Sequence, residues 1–149
     1  MLSSNQMQAK EYLKQVYRYN EMIKSNMEEI ENLRTISTGI ASADPSKERV
    51  NKSHHSDAPF VTAIAKLIDL EKQVDNEMVK FLELRQEVRD TINQSANVNG
   101  ILVLRYRYLD FMKWEDLAEK MDYSIKSVHR IHEAALNEIA DILLCQKTA

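Results

Sequence analysis

Apolar residues recur at alternating spacings of three and four along most of this chain, and the places where the alternation stops divide it into elements. From about Asn5 to Arg34 the positions Leu13, Val16, Asn20, Ile23, Met27, Ile30 and Arg34 form a heptad seam, which predicts a coiled-coil-like helix roughly 45 Å long. A second seam runs through Phe60, Ile64, Leu67, Glu71, Val74, Met78, Phe81, Arg85, Val88 and Ile92. Asn20 interrupts the first seam, and Glu71 and Arg85 interrupt the second. Polar seam positions of this kind cost stability while fixing register and partner. Towards the C-terminus the period tightens into two shorter amphipathic stretches. Trp114, Leu117, Ala118 and Met121 share one face, and Val128, Ile131, Ala135, Leu136 and Ile139 share another.

The segments between these patterns set the organisation. Residues 35–58 are rich in Ser, Thr, Asn, His and charge and contain Asp44-Pro45, so they are expected to form a mobile loop, long for a helix connection. Asp57 and Pro59 predict the start of the second helix, as a cap and a first-turn proline. Such a loop spans on the order of 80 Å when extended, so the two long helices can pair as a hairpin within one chain or between two chains. A homodimer is the expectation, with the intramolecular hairpin as the alternative. Ser95–Gly100 is a polar break, which predicts a coiled-coil-like region over 1–95 and a second domain over 96–149. With only two glycines and two prolines, there is little turn chemistry for strands, and the expected fold class is all-α.

The two short C-terminal stretches predict a helix-turn-helix. The connection is Met121-Asp122-Tyr123-Ser124, and Ser124 is a good N-cap because its hydroxyl accepts from an unpaired backbone N–H in the next turn. The last helix is therefore expected from about Ile125. Asp122 occupies the place where a glycine usually accepts a left-handed backbone. A second helix of this kind lays its first turns in the major groove of DNA. The candidate DNA-contacting residues are those pointing away from the Val128/Ile131/Ala135 face: Ser124, Ile125, Lys126, Ser127, His129 and Arg130. The Arg130 guanidinium can grip guanine O6 and N7 bidentately, and Lys126 can reach the same acceptors or a phosphate. His129 can donate to a base or phosphate, Ile125 can touch a thymine methyl, and the Ser127 hydroxyl suits a phosphate.

The residues Leu104-Arg-Tyr-Arg-Tyr108, Trp114-Glu-Asp-Leu-Ala118, Tyr123-Ser-Ile-Lys-Ser-Val-His-Arg-Ile-His132 and Ala135-Leu136 resemble region 4 of bacterial sigma-70-type factors. With Trp114 and the Arg-Ile-His core, the closest likeness is to phage and prophage late-gene regulators of the ArpU/RinA type, over about 45 residues. This resemblance implies a sigma region 4-like domain that binds promoter DNA, RNA polymerase as a second partner, and activation of phage late genes in a bacterial cytoplasm. Asp122, Lys113 and Ile125 depart from the residues common at these places, and they bear on the DNA target more than on the fold.

Charge changes this picture. Residues 97–149 carry seven Lys/Arg against eight Asp/Glu, within a chain of net charge −3, whereas an autonomous DNA binder usually shows a basic face. The acids Asp110, Glu115, Asp116, Glu119 and Asp122 precede the last helix. Residues 123–132 hold Lys126, His129, Arg130 and His132 and no acid, so that stretch can be locally positive. Weak autonomous affinity is expected. Arg105 and Arg107 are read either as phosphate contacts or as solvated charges, and Trp114 as a packed core residue.

Other chemistry is thin. His54-His55 with Asp57 lacks the spacing that aims two imidazoles at one ion, so no metal is expected. Glu28, Glu29 and Glu31 read as solvated surface. There is no phosphate loop, nucleophile elbow or Cys/His/Asp constellation, so neither an enzyme nor a cofactor is expected. Tyr12, Tyr17, Tyr19, Met22 and Met27 read as core and rim of the first helix, with any excess available to a partner helix. One cysteine, Cys145, rules out an intrachain disulfide framework, and no apolar run is long enough to span a bilayer. The competing function is a non-enzymatic adaptor that grips polymerase or a coiled-coil partner without reading DNA.

Overall fold

The computed structural model describes residues 1–41 and 58–148, and the described residues form helices with no strand, as expected for an all-α chain. In order these are α1 (Ser4–Ala41), α2 (Ala58–Asn93), α3 (Val98–Leu104), a π-helical turn (Arg105–Leu109), α4 (Trp114–Met121) and α5 (Ile125–Thr148). The loop predicted from residue 35 does not start there, because α1 continues to Ala41. Thr35, Ser37 and Thr38 donate their hydroxyls to the carbonyls of Glu31, Leu33 and Arg34 at 2.9, 2.9 and 2.7 Å, so these polar residues are satisfied inside the helix. Asp44-Pro45, His54, His55 and the Asp57 cap lie outside the described residues. At the other end Ser3 and Gln6 cap α1 reciprocally: Ser3 Oγ accepts from the Gln6 N–H at 3.2 Å and Gln6 Oε1 from the Ser3 N–H at 2.7 Å.

The chain forms two compact units, Met1–Asn20 with Phe81–Ala149, and Glu21–Lys80. In each, α1 and α2 run antiparallel and their seams meet. In the second unit Asn26 Nδ2 donates to Glu77 at 2.7 Å and Arg34 pairs with Glu71 at 2.8 Å, around buried Ile23, Ile30, Ala63 and Val74. Two expected seam positions, Met27 and Met78, are exposed at 53% and 38%. Their neighbours Asn26 and Glu77 turn inward instead and satisfy each other. Glu71, one of the polar interruptions of the second seam, is thus half of a cross-helix ion pair with Arg34.

In the first unit, Ala9, Leu13 and Val16 of α1 and Val88 and Ile92 of α2 bury against Leu104, Tyr108 and Leu109 and against Ala135, Leu136, Ile139 and Ala140 of α5. Each fully buried aliphatic side chain of this kind contributes about 1.5–3 kcal/mol. Residues 96–149 therefore do not close a core alone: the ends of both long helices supply one wall. Tyr12 Oη lies 3.1 Å from Thr91 Oγ1, Gln6 Nε2 donates to the Glu133 carbonyl at 3.1 Å, and the Ser95 hydroxyl donates to Glu138. Arg85, read as a seam interruption, lies 3.6 Å from Asp110.

The polar break narrows to Gln94–Asn97. Asn97 caps α3, its Oδ1 accepting from the N–H groups of Asn99 and Gly100 at 2.9 and 3.3 Å. Gly100 lies within α3, where a Cβ would come 3.3 Å from Ala135 Cβ. The missing side chain lets α3 close on α5. At Arg105–Leu109 the helix widens by one residue: the Asp110 N–H donates to the Arg105 carbonyl, five residues back, at 3.1 Å. The extra residue lets adjacent Tyr108 and Leu109 both be buried. Phe111 follows at φ 57°, a left-handed conformation that costs roughly 1–2 kcal/mol, and its ring packs edge-on to Tyr17 at 5.5 Å.

Candidate nucleic-acid interface

α4 is short and strongly amphipathic. Leu117 and Ala118 bury against Val103 of α3 and Val128 of α5, with Tyr106, Met112, Trp114, Met121 and Ile131 packed around them. Glu115 and Asp116 occupy its first turn, where carboxylates interact favourably with the helix dipole. Lys113, at the cap position, makes no side-chain cap bond. The helix ends at Asp122, in the left-handed region at φ 58° and ψ 43°. The N–H groups of Asp122 and Tyr123 return to the Glu119 and Ala118 carbonyls at 3.2 and 3.0 Å, which satisfies the orphan acceptors of the last turn. Asp122 therefore takes the conformation expected of the glycine it replaces.

α5 begins at Ile125, as the Ser124 cap predicts. Ser124 Oγ accepts from the Ser127 N–H at 3.1 Å and donates to Ser127 Oγ at 2.9 Å. Asn99 Nδ2 donates to Tyr123 Oη at 3.3 Å, tying the turn to α3. Among the six candidate contact residues, Ser124, Ile125, Lys126, His129 and Arg130 are exposed and Ser127 is half-buried. Lys126 and Arg130 stand roughly 160° around the helix from buried Val128, at 100° per residue. Neither has an ion-pair partner among the described residues.

One expectation about this surface needs correction. His132, counted with the positive stretch, is only 4% exposed. Its Nε2 lies 2.7 Å from the Tyr108 hydroxyl, and its ring meets Trp114 edge-on at 4.8 Å. Burial pushes its pKa down to about 4, with further lowering from Lys10, His129 and Arg107. Burial likewise raises the Tyr108 phenol. The pair is uncharged near neutrality and adds nothing to a phosphate-facing potential. Arg107 is half-buried: its guanidinium sits 4.6 Å from the centre of the Trp114 ring and donates to the Met112 carbonyl at 2.8 Å, so it is not a freely solvated charge.

Trp114 is half-buried at the centre of this cluster, with the His129 ring 4.5 Å away. His129 is thus steadied by an aromatic neighbour rather than free to sweep a groove. Lys120 caps the Tyr106 ring at 4.5 Å. The Tyr108–His132 pair is the feature that sequence reasoning missed. The signal was available, since His132 lies four residues after Val128 and seven before Ile139, on the buried stripe of α5. Among the described residues no helix is long and apolar enough to cross a membrane, and no cluster of His, Cys, Asp or Glu has metal-site geometry. The chain matches no protein-family model, no curated protein and no solved structure.

Proposed function

We propose that the chain is a sequence-specific DNA-binding transcription regulator, in which α4, the Asp122–Ser124 turn and α5 form a helix-turn-helix and the start of α5 enters the major groove. The observation that carries this reading is the placement of Lys126 and Arg130. Both are exposed and unpaired, on the first two turns of a capped helix, in a stretch free of acids. On the resemblance to sigma region 4 and to ArpU/RinA-type regulators, the proposed role is activation of phage late genes together with host RNA polymerase in the bacterial cytoplasm. With His132 buried and uncharged, few cations remain on the front of α5 to neutralise phosphates, so affinity is expected to be modest and to fall with salt through a small number of contacts.

Selection of bound duplexes from a randomised library, followed by gel-shift titration over a salt series, tests this. Arg130→Ala is expected to weaken the selected site by roughly 1–3 kcal/mol and relax preference at one base position, whereas Lys126→Ala lowers affinity for all sequences and flattens the salt dependence. Failure to enrich any sequence, or a double variant that binds like the wild type, would refute direct readout by α5.

One observation favours the adaptor reading. Exposed Glu115, Asp116 and Glu119 give α4 an acidic outer face, which phosphates repel and a basic protein surface attracts. An adaptor has no need of Lys126 and Arg130, so polymerase retention by the Lys126/Arg130 double variant, without any DNA selection, would establish it.

A further inference from the structure

The outer face of α2 carries a second heptad seam that is exposed among the described residues. Within the Glu21–Lys80 unit, Val61, Ala65, Ile68, Lys72, Asp75 and Val79 follow one another at alternating spacings of four and three, and all six are exposed. Val61, Ile68 and Val79 are 61%, 46% and 56% accessible. The face that meets α1 is a different one, marked by buried Ala63 and Val74. Neither Lys72 nor Asp75 has an ion-pair partner among the described residues. A lone apolar stripe would leave its occupant open. The order of residues along this one does not.

We infer that this seam joins two copies of the chain through an antiparallel pairing of their α2 helices, with the two-fold axis at the level of Gln73 and Val74. In that register Lys72 of each copy meets Asp75 of the other, and Ile68 of each copy meets Val79 of the other. The stripe is therefore complementary to itself, as an isologous interface requires. Each contact also joins the two kinds of heptad position that face one another in antiparallel coils. Sliding by one heptad in either direction sets Lys72 or Asp75 against an apolar residue. Parallel pairing sets Lys72 against Lys72 and Asp75 against Asp75. The charged pair thus selects one orientation and one register while the aliphatic residues supply the burial. The inference does not depend on DNA binding and concerns a different surface from the Lys126/Arg130 face.

Sedimentation velocity of the full-length protein over a concentration series tests it, with circular dichroism confirming that helicity is kept. Wild type is expected to be a reversible dimer. Lys72→Glu alone and Asp75→Lys alone each place like charges at two symmetry-related contacts, and each is expected to raise the dissociation midpoint at least about tenfold. Combining Lys72→Glu with Asp75→Lys restores unlike pairs and returns the midpoint towards that of wild type. A wild type that stays monomeric to on the order of 100 μM, a dimer indifferent to both single reversals, or a combined variant as weak as the singles would each overturn the proposal.

Discussion

Acidification should loosen the Met1–Asn20/Phe81–Ala149 unit in a way that can be traced to one residue. His132 is buried beside Tyr108, Trp114 and the end of Arg107, and Lys10, His129 and Arg107 supply the positive charges around it. Its folded pKa lies near 4, against an ordinary value of 6.5. The unfolded chain therefore takes up this proton first as pH falls. The stabilisation tied to neutral His132 is complete above about pH 6.5 and is lost as pH drops from there through about 4. A depression of that size corresponds to about 3 kcal/mol, a sizeable fraction of the stability of a small domain.

Urea unfolding followed by circular dichroism, at several pH values between about 7.5 and 4.5, should show wild-type stability falling through this window. His132→Gln, which stays uncharged, should remove that part of the slope and leave whatever the carboxylates contribute. An NMR titration of the His132 ring should show no protonation until the pH approaches 4. Stability curves for wild type and His132→Gln that run parallel from pH 6.5 downwards, or a His132 ring that titrates in the ordinary histidine range, would refute the assignment of a buried neutral imidazole.

Two further perturbations probe the α4–α5 connection. At Asp122, φ is 58°, so Asp122→Gly should leave thermal stability unchanged or raise it, while Asp122→Val should lower it by about 1–2 kcal/mol because a β-branched residue resists the left-handed region. Leu117, fully buried beneath α5, should cost about 2–5 kcal/mol when cut to Ala, read by chemical denaturation; a loss below about 1 kcal/mol would mean that α4 is not packed as described.

Long-period features were legible in the sequence because helical geometry leaves them little freedom. The starts of α4 and α5, the Ser124 cap and the outward placement of Lys126 and Arg130 all follow from spacing and one capping hydroxyl. Asp122 was legible for the same reason, since the turn demanded a left-handed residue and only one position was available for it. Features decided by a neighbour were not. Asn26 displaces Met27 from the seam because Glu77 stands opposite to receive its amide, a fact about pairing rather than period. Gly100 reads as a break until Ala135 is known to lie against it. The π-helical turn and the left-handed Phe111 have no local signature, because they resolve the competing demands of Tyr108 and Leu109 for burial. His132 was passed over for a different reason: its position lay on the core stripe, but its side chain type suggested surface.

Burying His132 also bears on how the proposed regulator would hold DNA. It removes one cation from the front of α5, leaving Lys126 and Arg130 to carry most of the electrostatic attraction of that helix. Two such contacts give specificity at a few base positions but little phosphate neutralisation. On the proposed reading, useful occupancy of a site then requires a second tether, and effective concentration supplies it whether the tether is polymerase or another copy of the chain. The two differ in a measurable way. If the α2 seam provides the tether, Lys72→Glu weakens DNA binding by the purified protein although residue 72 lies far in sequence from α5, and combining it with Asp75→Lys restores binding. If polymerase provides it, neither substitution changes DNA binding by the purified protein, and affinity rises only when polymerase is added.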